Sequence, residues 1–226
     1  ARILTGAAAL LLAGCAAKTT VDQQTAGWSI NRIYSEARDE SQSGGYDRAV
    51  ELYNVLEGRA AGTTLAQQAQ LEKAYAQFQN TDTEEAKATL DRFIRLNPGS
   101  PGLEYAYYLK GVVSFSENAG WLSALTKQDL IERDQKAAKE SFAAFKEVVT
   151  RFPESRYASD SRHHMVYIAN AMSESELAIA DYYYRQGAYV AAINRAQSVV
   201  ANYDGTPSQE LALAVLAQSY EALGLE

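Results

Sequence analysis

The chain has 226 residues, with 28 acidic against 21 basic side chains and a formal net charge of -7. An acidic body excludes nucleic acid and anionic lipid headgroups as its main partners, because their phosphates repel it. Cys15 is the lone cysteine, which excludes a disulfide framework, so stability rests on a packed core, as one large domain or a repeat array.

In chain order, Arg2 precedes Ile3, Leu4, Leu10 and Leu11, with only small or hydroxylated residues between them. A positive flank, a short apolar run and small residues before a cut make a secretory signal, and the run is too short to span a bilayer. Leu12-Ala13-Gly14-Cys15 has the pattern of the bacterial lipoprotein box, in which the cysteine is acylated and becomes the new N-terminus. Residues 1–14 are therefore expected to be a signal peptide, recorded from inside it because the chain starts at Ala1, and Cys15 is the expected lipidation site. The covalent lipid on Cys15 is the only non-protein group expected, with no cofactor or metal. Ala16, where an aspartate would retain the protein, points to transfer to the outer membrane and a lipid-anchored place on its periplasmic face. Residues 15–27 are small, polar and unpatterned, and read as a lipidated flexible tether.

From Trp28 onward helical periodicity dominates, and the helices recur. Four segments share a small residue, an apolar residue four later, another three later and a helix stop five beyond: Ala49, Tyr53, Leu56, Ala61; Ala86, Leu90, Phe93, Pro98; Ser141, Phe145, Val148, Pro153; and Ala192, Ala196, Val199, Asp204. This is the signature of the second helix of a tetratricopeptide repeat. The small residue admits the paired helix, and positions four and seven later share its face. The first helices show stripes at Ile30, Ile33, Tyr34, Ala37; at Leu71, Ala74, Tyr75, Phe78; and at Tyr105, Tyr108, Leu109, Val112, with Gly111 where close approach needs a small residue. The expected fold is all-α, a superhelical array of tetratricopeptide-like hairpins over residues 28–226, with an N-terminal half of about 28–153 and a C-terminal half of about 154–226. Residues 116–135 read as an insertion carrying Gly120-Trp121-Leu122. The stretch 157–186 is one long helix or two broken near Ser173, and a last helix is expected over about 209–223, as a cap or as a first helix whose partner lies beyond Glu226.

No catalytic constellation emerges: there is no Gly-x-Ser-x-Gly elbow and no glycine-rich phosphate loop. His163-His164 are adjacent on a helix and diverge, so they read as a surface pair. Glu174, Glu176 and Asp181 read as surface charges. Tyr182-Tyr183-Tyr184, followed by Gly187 and Tyr189, is the densest aromatic cluster, and at least one ring must leave the core. Arg195, expected near Tyr189, is an ordinary solvated arginine or an interface anchor.

The lipobox, the divergent repeats, Asp91-Arg92-Phe93-Ile94-Arg95-Leu96-Asn97-Pro98, Arg151-Phe152-Pro153-Glu154-Ser155-Arg156-Tyr157, and Tyr183-Tyr184-Arg185-Gln186-Gly187-Ala188-Tyr189 with Asn194-Arg195 together resemble the BamD (ComL) family of β-barrel assembly lipoproteins. The resemblance runs from Cys15 to the end of the chain. It implies a scaffold, not an enzyme, that docks on the periplasmic POTRA domains of BamA. It also implies contact with other assembly lipoproteins and with unfolded outer-membrane β-barrel precursors. By this resemblance Arg195, with Tyr189 as its neighbour, is the BamA contact. Where relatives carry a Tyr-Pro-Phe-Gly type turn, this chain has Ala60-Ala61-Gly62-Thr63, so no precursor-binding residue is carried over from that turn. The competing readings are another periplasmic repeat lipoprotein, such as a secretin pilotin or a cell-envelope coordinator, and, ranked low, an envelope enzyme.

Overall fold

The computed structural model describes residues 20–117 and 128–225. Residues 1–14, Cys15 and the Gly120-Trp121-Leu122 element lie outside the described residues. Among the described residues all regular structure is helical: α1 (Val21–Gln24), α2 (Ile30–Ser43), α3 (Tyr46–Arg59), α4 (Thr64–Gln79), α5 (Thr83–Leu96), α6 (Leu103–Glu117), α7 (Gln128–Arg151), α8 (Ala158–Arg185), α9 (Tyr189–Asn202) and α10 (Ser208–Ala222).

The local sequence marks where helices begin and end. Ser29 and Thr63 cap α2 and α4 by accepting hydrogen bonds from the backbone N–H of Arg32 and Ala66, at 3.3 and 3.2 Å. Gly44 ends α2 in the left-handed conformation, φ 88°, where a side chain would be strained. The four stop residues Ala61, Pro98, Pro153 and Asp204 each lie two positions beyond the last residue of α3, α5, α7 and α9. The twelve inner pattern residues of those helices, from Ala49 to Val199, are all buried.

Consecutive helices from α2 to α10 pack on one another, and α4 also reaches α6 while α8 reaches α10. Contacts between alternate helices make a stack out of separate hairpins. A small residue twelve positions before the small residue of three of the four second helices completes the close contact: Ala37 before Ala49, Ala74 before Ala86, and Ala180 before Ala192, each fully buried. In the third hairpin the equivalent pair is Gly111 and Ser141. A Cβ at Gly111 would sit 2.7 Å from the Phe145 ring, and Ser141 Oγ donates to the Gly111 carbonyl at 2.8 Å. Only glycine allows α6 and α7 this separation.

Apolar side chains gather into successive clusters. Leu52, Tyr53 and Leu56 join Ile33 in the first, Leu90 and Phe93 join Leu103 and Val113 in the second, and Ala192, Ala196 and Val199 join Ala212 and Val215 in the third. Burying one such large side chain stabilises by roughly 1.5–3 kcal/mol before conformational entropy is subtracted. Not every stripe residue is inside: Ile30 and Tyr75 are 41% and 42% exposed, at the margins of their helix faces.

One open alternative is decided and two sequence expectations change. The stretch from Tyr157 contains one unbroken 28-residue helix, α8. At its middle, Ser173 Oγ donates to the Asn170 carbonyl at 2.8 Å, so the serine is accommodated within the turn and does not break it. The expected insertion is shorter, because α7 starts at Gln128 and takes its last eight residues.

The last part of the stretch read as a tether is folded onto the array. Thr20 and Gln23 form a capping box that starts α1. Arg59, the last residue of α3, donates from Nη1 to the Thr25 carbonyl at 2.7 Å and from Nη2 to Asp22 Oδ1 at 2.7 Å. Arg48 Nη2 donates to Gln24 Oε1 at 2.8 Å, and Thr25 is fully buried. Residues 20–25 are therefore strapped to the first hairpin, through bonds that no local pattern reveals. Arg59→Ala should remove the strap, raising amide exchange at Thr25 and Trp28 by at least tenfold while α3 to α10 stay protected. Unchanged exchange would show that Val21 and Trp28 packing alone holds the segment.

Candidate functional site

The site is built on the α8–α9 hairpin. Adjacent helical residues point about 100° apart, and the three tyrosines at the end of α8 separate accordingly. Tyr182 is 56% exposed, while Tyr183 and Tyr184 pack on the C-terminal core. Gly187, at φ 74°, turns the chain, and Tyr189 opens α9 with its ring 5.7 Å from Tyr184.

Arg195 stands on the same helix, but six residues later, so it lies roughly 120° around the axis from Tyr189. The structure does not bring the two together: Tyr189 joins Tyr184 at the turn, and Arg195 turns to α8. Its Nη1 donates to Glu176 Oε2 at 3.1 Å. A shallow cavity of about 370 Å³ lies along this seam, lined by Tyr183, Ala191, Asn194, Arg195 and Ser198.

Glu176 corrects the sequence reading, which took it for a surface charge. It is 9% exposed, in register with the buried stripe of Ser173 and Ala180. That register was the available signal, because a carboxylate at a core position of a helix requires a cation. Burial pushes the Tyr203 phenol up, and the negative charge of Glu176 adds to the effect.

His163 and His164 part company. His163 is exposed, whereas His164 stacks flat on Phe145 at 4.7 Å and meets the edge of Phe115 at 4.8 Å. Its Nε2 lies 3.4 Å from Asp160, which also accepts from Tyr108 at 2.8 Å. Among the described residues no group of three or more His, Cys, Asp and Glu could hold a metal ion.

A second polar feature crosses the N-terminal repeats. The Glu72 carboxylate on α4 accepts from Tyr34 of α2 and Tyr53 of α3, each at 2.7 Å. Tyr105, Tyr108 and Tyr157 continue the aromatic series, with Tyr108 and Tyr157 stacked at 4.5 Å. Burial, then the Glu72 hydrogen bond and charge, push Tyr34 up to about 12. Burial likewise raises Tyr105 to about 12, and burial with the Asp160 bond raises Tyr108 to about 12. Raised phenol values favour the neutral form in the fold. Their contribution is fully present below pH 10, the unfolded value, and is lost as pH rises toward 12. Alkaline titration followed by tyrosinate absorbance should show these phenols ionising only as helicity falls. Normal ionisation near pH 10 with helicity intact would contradict the network.

The profile of the YfiO family, described as outer membrane lipoprotein, matches residues 28–226. A Neisseria meningitidis serogroup B protein named outer membrane protein assembly factor BamD is 43% identical over 98% of this chain and 84% of its own length. The chain belongs to the BamD family. Other members with the same name come from Neisseria gonorrhoeae, 42% identical over 98% of this chain and 84% of the relative, and from Vibrio cholerae, 34% identical over 98% and 91%. A solved array of nearly identical TPR-like repeats from a Podosopora anserina kinesin light chain aligns over 86% of this chain and 87% of its own, at 17% identity and a TM-score of 0.40. At that score it adds nothing to the fold read from the helices. The BamD family match spans both halves of the array, including the α8–α9 hairpin. No helix among the described residues is long and apolar enough to cross a membrane.

Proposed function

We propose that this chain is a non-enzymatic scaffold of the outer-membrane β-barrel assembly machinery, lipid-anchored through Cys15 on the periplasmic face. It docks on BamA-type POTRA domains through the α8–α9 seam around Arg195, alongside other assembly lipoproteins, and engages unfolded barrel precursors. The observation that carries this reading is the near-full-length identity to relatives named outer membrane protein assembly factor BamD.

The physical chemistry agrees. Stacked hairpins offer extended surfaces suited to other polypeptides. An arginine beside tyrosines on a half-exposed seam has the composition of a binding hot spot. Tyr189 packs on Tyr184 at the turn, and the contact is proposed to use Tyr183, Asn194 and Ser198, which line the same cavity as Arg195.

Two experiments test the proposal. The chain should co-purify with its detergent-solubilised BamA-type partner, and a clean failure to associate would defeat the reading. Mature protein from membranes should carry acyl chains on Cys15, and Cys15→Ser should shift it to the soluble fraction. A Cys15 recovered unmodified would remove the anchor from the proposal.

A further inference from the structure

The Glu176 side chain is 11% exposed and that of Arg195 is 46% exposed. Arg195 is the only ion-pair or hydrogen-bond partner the described residues give Glu176. A carboxylate this far from water needs a fixed cation. The dependence is unequal. Glu176 loses its charge compensation without Arg195, whereas half-exposed Arg195 has water available. A guanidinium carries five N–H donors, and the rest have no partner among the described residues.

We propose that Glu176 is the positioning residue for Arg195: from inside the α8–α9 seam it holds one edge of the guanidinium, leaving the other edge presented to a docking POTRA domain. This rests on the reading of Arg195 as the POTRA contact. An unheld arginine samples many rotamers and must be ordered on binding, and prior ordering removes that cost. The pair also joins adjacent helices, so the presented edge is fixed relative to both the Tyr183 ring on α8 and the Asn194 and Ser198 side chains on α9. Glu176 is not a contact in this scheme and acts only through Arg195.

The test is a double-mutant cycle with Glu176→Gln and Arg195→Gln in the full chain, read by affinity for the purified POTRA domains of its BamA-type partner. Glu176→Gln should weaken binding roughly three- to tenfold, the cost of ordering one long side chain. In the Arg195→Gln background the same change should have no effect, and Glu176→Asp should restore part of the loss. Tighter binding by Glu176→Gln would show that Glu176 competes with the partner, and would overturn the proposal. So would an equal loss in both backgrounds, which marks a merely structural role. Exchange of the Arg195 side-chain N–H groups, measured by NMR on the unbound chain, separates the two readings. If Arg195→Gln leaves POTRA binding unchanged, the docking assignment fails. Faster exchange in Glu176→Gln would then still support positioning, and unchanged exchange would overturn that as well.

Discussion

Phe145→Ala is expected to destabilise the array by about 3–5 kcal/mol, the usual cost of emptying a buried aromatic site. The ring is fully buried and joins three helices. It lies against Gly111 of α6, stacks on His164 of α8 at 4.7 Å, and meets Tyr108 edge-on at 6.0 Å. For a chain of this size each kcal/mol lowers the melting temperature by roughly 2–4 °C. Hydrogen exchange should place the first loss of protection in α6, α7 and the N-terminal half of α8. A second substitution gives a sign test. Gly111→Ala alone should destabilise, because its Cβ would meet the Phe145 ring at 2.7 Å. In the Phe145→Ala background the same change should be neutral or stabilising, since alanine favours helix and fills vacated space. Additive losses would refute this account of the α6–α7 seam.

Arg195→Glu is expected to have the largest effect on partner binding, and it does more than reverse a surface charge. The new carboxylate would face Glu176 across the 3.1 Å contact now made by the arginine. Breaking a buried pair typically costs about 3–5 kcal/mol, and the half-exposed position of Arg195 reduces that to about 1–3. The variant should therefore lose POTRA association by more than tenfold and also melt at a lower temperature near neutral pH. Adding Glu176→Gln to Arg195→Glu should restore much of the stability and none of the binding. Recovery of binding in that double variant would mean that the loss came from disturbed folding, and would remove Arg195 from the interface.

The repeat pattern was legible in the sequence because it is local. A small residue, two apolar residues on its face and a stop lie within one helix, and all four second helices end two residues before their stops. The parting of Tyr189 and Arg195 went unread: the sequence reading set Arg195 near Tyr189, although a six-residue separation turns the two roughly 120° apart around one helix. The strap on Thr20–Thr25 was not legible, because its donors Arg48 and Arg59 lie 24 to 37 residues away. Glu176 was missed for a related reason. Composition makes a glutamate a surface residue, and only its register on the Ser173–Ala180 stripe, with an arginine 19 residues on, marks it as internal. The match of the YfiO profile to residues 28–226 supports the BamD resemblance drawn from the Arg-Phe-Ile-Arg-Leu-Asn-Pro and tyrosine-rich runs.

Arg59 changes how the protein would hang from a bilayer. With the strap in place, Cys15 and Val21, the first residue packed on the hairpin, are six residues apart, a reach of at most about 22 Å; a leash free up to Gly27 would allow about twice that. On the proposed acylation, the first hairpin would ride just beneath the lipid headgroups, and a pull on the anchor would be borne by the end of α3. The array would then project into the periplasm from a short stalk whose base is held by the guanidinium groups of Arg59 and Arg48.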